Sequence, residues 1–168
     1  MSSLESFLRE KILSPDSLAF RLEKERNSGK TLATLNGSFD LLHAGHLYIL
    51  FEASKQADLL LVAVNSDASV QAYKDPRRPI IPLQSRMEML AALDFVDFVT
   101  WFDETDPRAL LTKVAPDVHV NGQEYGEKCI EAATVREKGG RIHLVGRIPG
   151  LATSEIIQKI QLLEATCV

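Results

Sequence analysis

His43 and His46 stand three residues apart in the run Asn36-Gly37-Ser38-Phe39-Asp40-Leu41-Leu42-His43-Ala44-Gly45-His46, directly before a helical pattern that opens at Leu47. That spacing at a helix N-terminus turns both imidazoles toward one spot. Orphan backbone amides and the positive end of the helix dipole already favour an anion there. Triphosphate oxygens suit such a spot. Gly37 lets the backbone pass close to a phosphate, and Gly45 removes a side chain that would hold a flat base or ribose away from the helix start. Near the other end of the chain, Thr153 and Ser154 open a helix with hydroxyls and amides that can cap it and bind phosphate at once.

Other chemistries fit less well. A zinc site would need ligands spaced to serve His43 and His46. His119 and His143 fall instead in predicted strands, and no Cys or Glu has the spacing, so no metal held by these histidines is expected. The G-x-G-x-x-G turn of a dinucleotide-binding dehydrogenase is absent from the segment after the first strand.

These residues have to be positioned by a regular scaffold, and the apolar pattern supplies one. Ser14-Pro15-Asp16 reads as a helix start and Gly29 as its stop, with Leu18 and Leu22 on the apolar face. Strands are expected over residues 31–36, 59–65, 98–102, 118–121 and 141–145. Helices are expected after 47 and over 83–93, 107–114 and 127–138, with a last one from Ser154. The strands are almost wholly apolar, so both faces must be covered. Alternating βα units with right-handed crossovers give an α/β, Rossmann-like open parallel five-stranded sheet with helices on both faces. Ligands of such sheets bind beyond the carboxyl ends of the strands, where the strand order reverses. The longest irregular stretch, 73–79, is a candidate mobile substrate loop.

Composition narrows the class. The 168 residues, 45% hydrophobic, suit a single domain with residues 1–30 as a helical lead-in. With 19 basic against 23 acidic residues the net charge is -4, which gives no basic field for nucleic acid. Cys129 and Cys167 make neither a disulfide framework nor a zinc cluster, and a reducing compartment fits. No run in the sequence approaches the roughly 18 apolar residues of a membrane span, so a cytoplasmic protein, neither secreted nor membrane-spanning, is expected.

Gly37-Ser38-Phe39-Asp40 followed by His43-Ala44-Gly45-His46 resembles the signature of the HxGH nucleotidyltransferase superfamily. The likeness extends over nearly the whole chain. Val64-Asn65-Ser66-Asp67 closes the second strand, Arg78-Pro79-Ile80-Ile81-Pro82 leads to Arg86, and Asn121-Gly122-Gln123-Glu124-Tyr125 stands where relatives carry K-G-x-D-Y. The segment from Arg147 through Gly150 to Ile157 resembles the closing motif. A leading helix at 11–14 belongs to the same pattern. The chain looks most similar to the adenylyltransferase domain of the bacterial ADP-heptose synthase family, here expected to stand alone without a kinase domain. Tyr125 matches the family pattern, whereas Asn121 and Glu124 depart from it.

That resemblance implies transfer of AMP from ATP to a heptose 1-phosphate, with Mg2+ accompanying the nucleotide, in the biosynthesis of a lipopolysaccharide core precursor, and a homodimer. It implies that His43 and His46 hold the α- and β-phosphates and that Lys74 offsets charge on the transferring group, although Arg77 or Arg78 could supply that charge. Asn36, Gly37, Ser38, Phe39, Gly45, Arg86, Asn121, Gly122, Thr153 and Ser154 would contact the nucleotide. Asn65, Asp67 and Tyr125 would contact the phosphorylated acceptor, and Asp40 would orient the loop or bind the acceptor. Arg147, three residues before Gly150, resembles the R-x-x-G of cytidylyltransferases, so CTP with glycerol 3-phosphate remains a second reading. A nucleotide-binding module without turnover is a third.

Overall fold

A computed structural model describes residues 3–146, 148 and 152–165. The predicted sites at Arg147 and Gly150 and the cysteine at 167 lie outside these residues. In chain order the elements are α1 (Leu4–Arg9), α2 (Pro15–Asn27), β1 (Leu32–Gly37), α3 (Ala44–Ser54), β2 (Leu59–Asn65), α4 (Asp67–Tyr73) and α5 (Leu83–Ala91). They continue with β3 (Phe98–Phe102), α6 (Arg108–Val114), β4 (Val118–Gly122), a 3-10 turn (Gln123–Tyr125), α7 (Ala132–Glu137), β5 (Arg141–Val145) and α8 (Thr153–Ala165).

The five strands form one sheet in the order β3-β2-β1-β4-β5, parallel throughout. From β1 the chain steps outward through β2 to β3, then crosses back to build β4 and β5 on the other side. The order therefore reverses between β1 and β4, where Leu35 pairs with Val120. Helices cover both faces, as alternation along β2 makes plain. Leu60, Val62 and Val64 pack in one core with Leu50, Leu90 and Val99, while Leu59, Leu61 and Ala63 pack in a second core with Leu18, Leu22, Leu110, Leu111 and Val135. Each fully buried leucine contributes about 1.5–3 kcal/mol.

At the amino ends of the strands, register is pinned by aspartates. Asp58, just before β2, accepts from the Thr31 amide at 2.8 Å. Asp97, before β3, accepts from Leu60, and Asp117, before β4, accepts from Leu32, each at 2.8 Å. Each satisfies a strand amide that would otherwise end its ladder without a partner.

Several boundaries differ from expectation. Residues 11–14 are not helical: α1 ends at Arg9, and Ile12 makes a parallel bridge to Val99. The stretch after β2 contains α4, capped by Ser66 Oγ accepting from Ser69 N at 3.3 Å. Its sequence Asp-Ala-Ser-Val-Gln-Ala-Tyr is too short and polar to show a helical period. The helix expected over 127–138 shortens to α7, with turns replacing its first half. No helix among the described residues is long and apolar enough to cross a membrane.

His119 sits in β4 with no exposure, its Nδ1 2.8 Å from Thr34 Oγ1. Burial pushes its pKa down to about 4, and burial foremost does the same for His46. The folded chain therefore resists protons that the unfolded chain takes up near the ordinary histidine value of 6.5. Stability is fully present above that pH and is lost as pH falls through the window toward 4. Urea unfolding at a series of pH values should show a declining free energy across this window, less steep for His119→Gln. A flat profile would mean that both imidazoles accept protons in place.

Candidate active site

The reversal of strand order opens a cleft of about 710 Å³ at the carboxyl ends of the strands. That size suits a nucleotide and a small partner. From β1 and the loop after it come Asn36, Gly37, Ser38, Phe39, His43, Gly45 and His46. The β2 side contributes Asn65, Lys74 and Arg78, the β4 side Asn121, Gly122, Tyr125 and Glu131, and the start of α8 Thr153 and Ser154. Three predicted site residues, Asp40, Asp67 and Arg86, are absent from this lining.

His43 is itself the N-cap of α3. Its Nδ1 accepts from the amides of Gly45 at 3.1 Å and His46 at 3.4 Å. Two of the amides expected to meet an anion are thereby committed to the ring. The same bonds fix the tautomer, since Nδ1 must present a lone pair and the neutral ring carries its proton on Nε2. The His46 ring stacks on His43 at 3.9 Å between centroids and lies 5.4 Å from the Phe39 ring. Burial, then the nearby charge of His43 and of Lys74, hold its pKa at about 4, against an opposing pull from Asp40. At neutral pH His46 thus offers a hydrogen bond rather than a full charge.

The loop that carries Ser38 and Phe39 is bent hard. Phe39 and Leu41 adopt φ of 45° and 30°, a region that costs bulky residues on the order of 1–3 kcal/mol each. Asp40, between them, offsets that strain. Fully buried, it accepts from the Ile80 amide at 2.9 Å, the Ile81 amide at 3.0 Å and Arg78 Nε at 2.5 Å. Burial alone would raise its carboxyl, but the two amides and Arg78 outweigh it and hold the pKa below the ordinary value. Asp40 therefore ties Arg78, Ile80 and Ile81, at the end of the stretch expected to be a mobile substrate loop, to the β1 loop. Gly37 lies beneath the Phe39 ring, where an added Cβ would meet it at 3.1 Å.

Arg86 is a second brace. Without exposure, it donates to the carbonyls of Ser38 at 2.5 Å, Asn65 at 2.9 Å and Ile81 at 2.9 Å, and to Asp67 Oδ1 at 2.6 Å. One guanidinium thus joins the ends of β1 and β2, the first turn of α4 and the lead into α5. Lys74 caps the end of α4 and donates to Ser38 Oγ at 2.8 Å. Its pKa is lowered, by burial first and by the charge of Arg78 next.

Residues 34–162 match the cytidylyltransferase-like family. The chain belongs to it. Among relatives, the bifunctional protein HldE of Geotalea uraniireducens is 44% identical over 152 residues, covering 90% of this chain and 31% of that protein. HldE of Methylobacillus flagellatus is 41% identical over the same shares. The chain spans about a third of the length of these relatives. A lipopolysaccharide core biosynthesis protein of Thermoplasma volcanium shares the fold with a TM-score of 0.57 at 29% identity, over 71% of this chain and 98% of that one. A pantoate-beta-alanine ligase of Francisella tularensis, at 16% identity, shares the fold alone, with a TM-score of 0.56 over 92% of this chain and 78% of that one.

In this cytidylyltransferase-like chain Arg78 was read in the sequence only as an alternative to Lys74, and Glu131 was not read at all. Glu131 carries no local signal, because it comes to Asn121 across ten residues and a 3-10 turn.

Replacing Arg86 by Ala should cost about 3–5 kcal/mol of stability in urea unfolding, because three carbonyls and Asp67 lose their donor together. Lysine should not restore it, since one ammonium cannot span four acceptors. A loss below about 1 kcal/mol would show that the loops hold without the guanidinium.

Proposed function

We propose that this chain is an adenylyltransferase that moves AMP from ATP onto a sugar 1-phosphate, D-glycero-D-manno-heptose 1-phosphate being the first candidate, with release of pyrophosphate. The observation that carries this reading is the His43–His46 pair stacked at the mouth of the switch-point cleft, with Lys74 and Arg78 on its β2 side, in a chain 40–44% identical to HldE proteins over nearly its whole length. The acceptor phosphate attacks the α-phosphorus in line, so the protein's task is placement and charge stabilisation. No covalent intermediate on the enzyme is needed.

His43, through its Nε2–H, and neutral His46 would donate hydrogen bonds to oxygens of the α- and β-phosphates as charge builds in the transition state. Lys74, held by Ser38 Oγ, would balance charge on the transferring group, and Arg78, fixed by Asp40, would add to it. Thr153 and Ser154 at the start of α8 would meet the leaving pyrophosphate. Mg2+, which commonly binds through substrate phosphates and waters, would enter on the triphosphate and neutralise it. Among the described residues no group of three or more His, Cys, Asp or Glu side chains could hold a metal ion by itself.

Pyrophosphate release measured with Mg2+ and ATP or CTP, against heptose 1-phosphate and glycerol 3-phosphate, tests the assignment. ATP with heptose 1-phosphate is the expected productive pair, and CTP with glycerol 3-phosphate would replace it by a cytidylyltransferase. His46→Ala should lower kcat by roughly 100-fold or more, as loss of one transition-state donor does. A drop of only a few-fold would remove the histidine pair from the chemistry.

A further inference from the structure

Charge in the cleft is divided by the sheet. Lys74 and Arg78 reach it from the β2 side of β1, whereas Glu124 and Glu131 reach it from the β4 side. Asp106, a third carboxylate in the lining, is engaged by Arg108 at 2.8 Å and 3.0 Å. The same Coulomb force that draws a triphosphate to the first pole drives it from the second. Arg108, held by Asp106, also lies within electrostatic reach of Glu131 but makes no hydrogen bond to it among the described residues, so a neutral, donor-bearing part of a ligand suits the Glu131 side better than a phosphate does.

Glu131 is only 7% exposed, yet it lines the cleft. A buried carboxylate is costly unless donors hold it. Its side-chain partners are Asn121 Nδ2 at 3.2 Å and the thiol of Cys129. A neutral amide at that length and a weak thiol donor cover only part of a carboxylate's roughly four acceptor sites. Asn121 also orients Glu131 without neutralising it, as a lysine or arginine at that position would. The result is a fixed acceptor pair beside a cleft, suited to two neighbouring O–H donors, which can bond its two oxygens side by side.

We propose that Glu131, oriented by Asn121, recognises a vicinal diol on the neutral portion of a bound substrate. The diol belongs either to the ribose of the nucleotide or to the sugar of the acceptor. This inference rests on the nucleotidyl-transfer reading above and deepens it by assigning a specificity-determining residue on the β4 side.

The test uses the whole chain and its Glu131→Gln and Glu131→Ala variants, checked for folding by thermal melting. Calorimetry gives Kd for Mg-ATP, Mg-2′-deoxy-ATP and Mg-3′-deoxy-ATP, and pyrophosphate release gives KM for the acceptor. If the ribose is read, the wild type prefers ATP over the deoxy nucleotides by about tenfold, and both variants lose that preference, as expected for a hydrogen bond to a charged group. If the acceptor is read, its KM rises about tenfold in both variants while the ATP Kd is unchanged. Folded variants within twofold of wild type in every quantity would overturn the proposal. An equal weakening for ribo- and deoxyribonucleotides with acceptor KM unchanged would place Glu131 on the base and overturn the diol assignment. A wild-type chain that binds neither Mg-ATP nor Mg-CTP and turns over no acceptor would overturn the transferase reading and this inference together.

Discussion

The cleft depends on one buried cation. Arg86 lies without exposure beneath the carboxyl ends of β1 and β2, and its guanidinium donates to carbonyls of Ser38, Asn65 and Ile81 and to Asp67. Parallel strands end in carbonyls that have no further ladder to join, and a ligand-binding loop cannot supply partners without giving up its reach into the cleft. A planar donor with five N–H groups meets several of those carbonyls from below. The upper side of the same loops is left to face the cleft.

Asp40 completes the arrangement. Its carboxylate holds Ile80, Ile81 and Arg78, so the strap that delivers Arg78 is tied to the strained turn that delivers Ser38 and Phe39. Ser38 then receives Lys74. Charged and strained groups on three separate segments are thereby held in mutual register by two buried ionic side chains that do not line the cleft. Such preorganisation is what a reaction requires when its catalyst works by placement and fixed dipoles.

The histidine pair shows a similar economy. His43 caps its own helix and fixes its tautomer by doing so, and His46 is kept neutral by burial against it. The helix terminus thus presents ring N–H groups where backbone amides alone would otherwise stand. On the far side of β1 the carboxylate of Glu131 lines the cleft opposite Lys74 and Arg78.

Much of this was legible in the chain itself. Apolar runs such as Leu59 to Val64 announced a sheet covered on both faces, because a strand that is hydrophobic at every position has no solvent side, and the alternation of strands with helices left a parallel sheet as the consistent topology. The spacing of His43 and His46 located the cleft for the same local reason, since helix geometry alone brings residues three apart together. The tertiary structure decided what each polar residue does. Asp67 and Arg86 read as ligand-binding groups and Asp40 as orienting the loop or the acceptor; the fold joins Arg86 to Asp67 and to three carbonyls and ties Asp40 to Arg78, Ile80 and Ile81, and the carboxylate of Glu131 had no sign in the sequence. A carboxylate or guanidinium looks the same in a sequence whether its partner is a substrate or a backbone amide forty residues away, and only the packing of β1 against β2 and β4 determines which partner it meets.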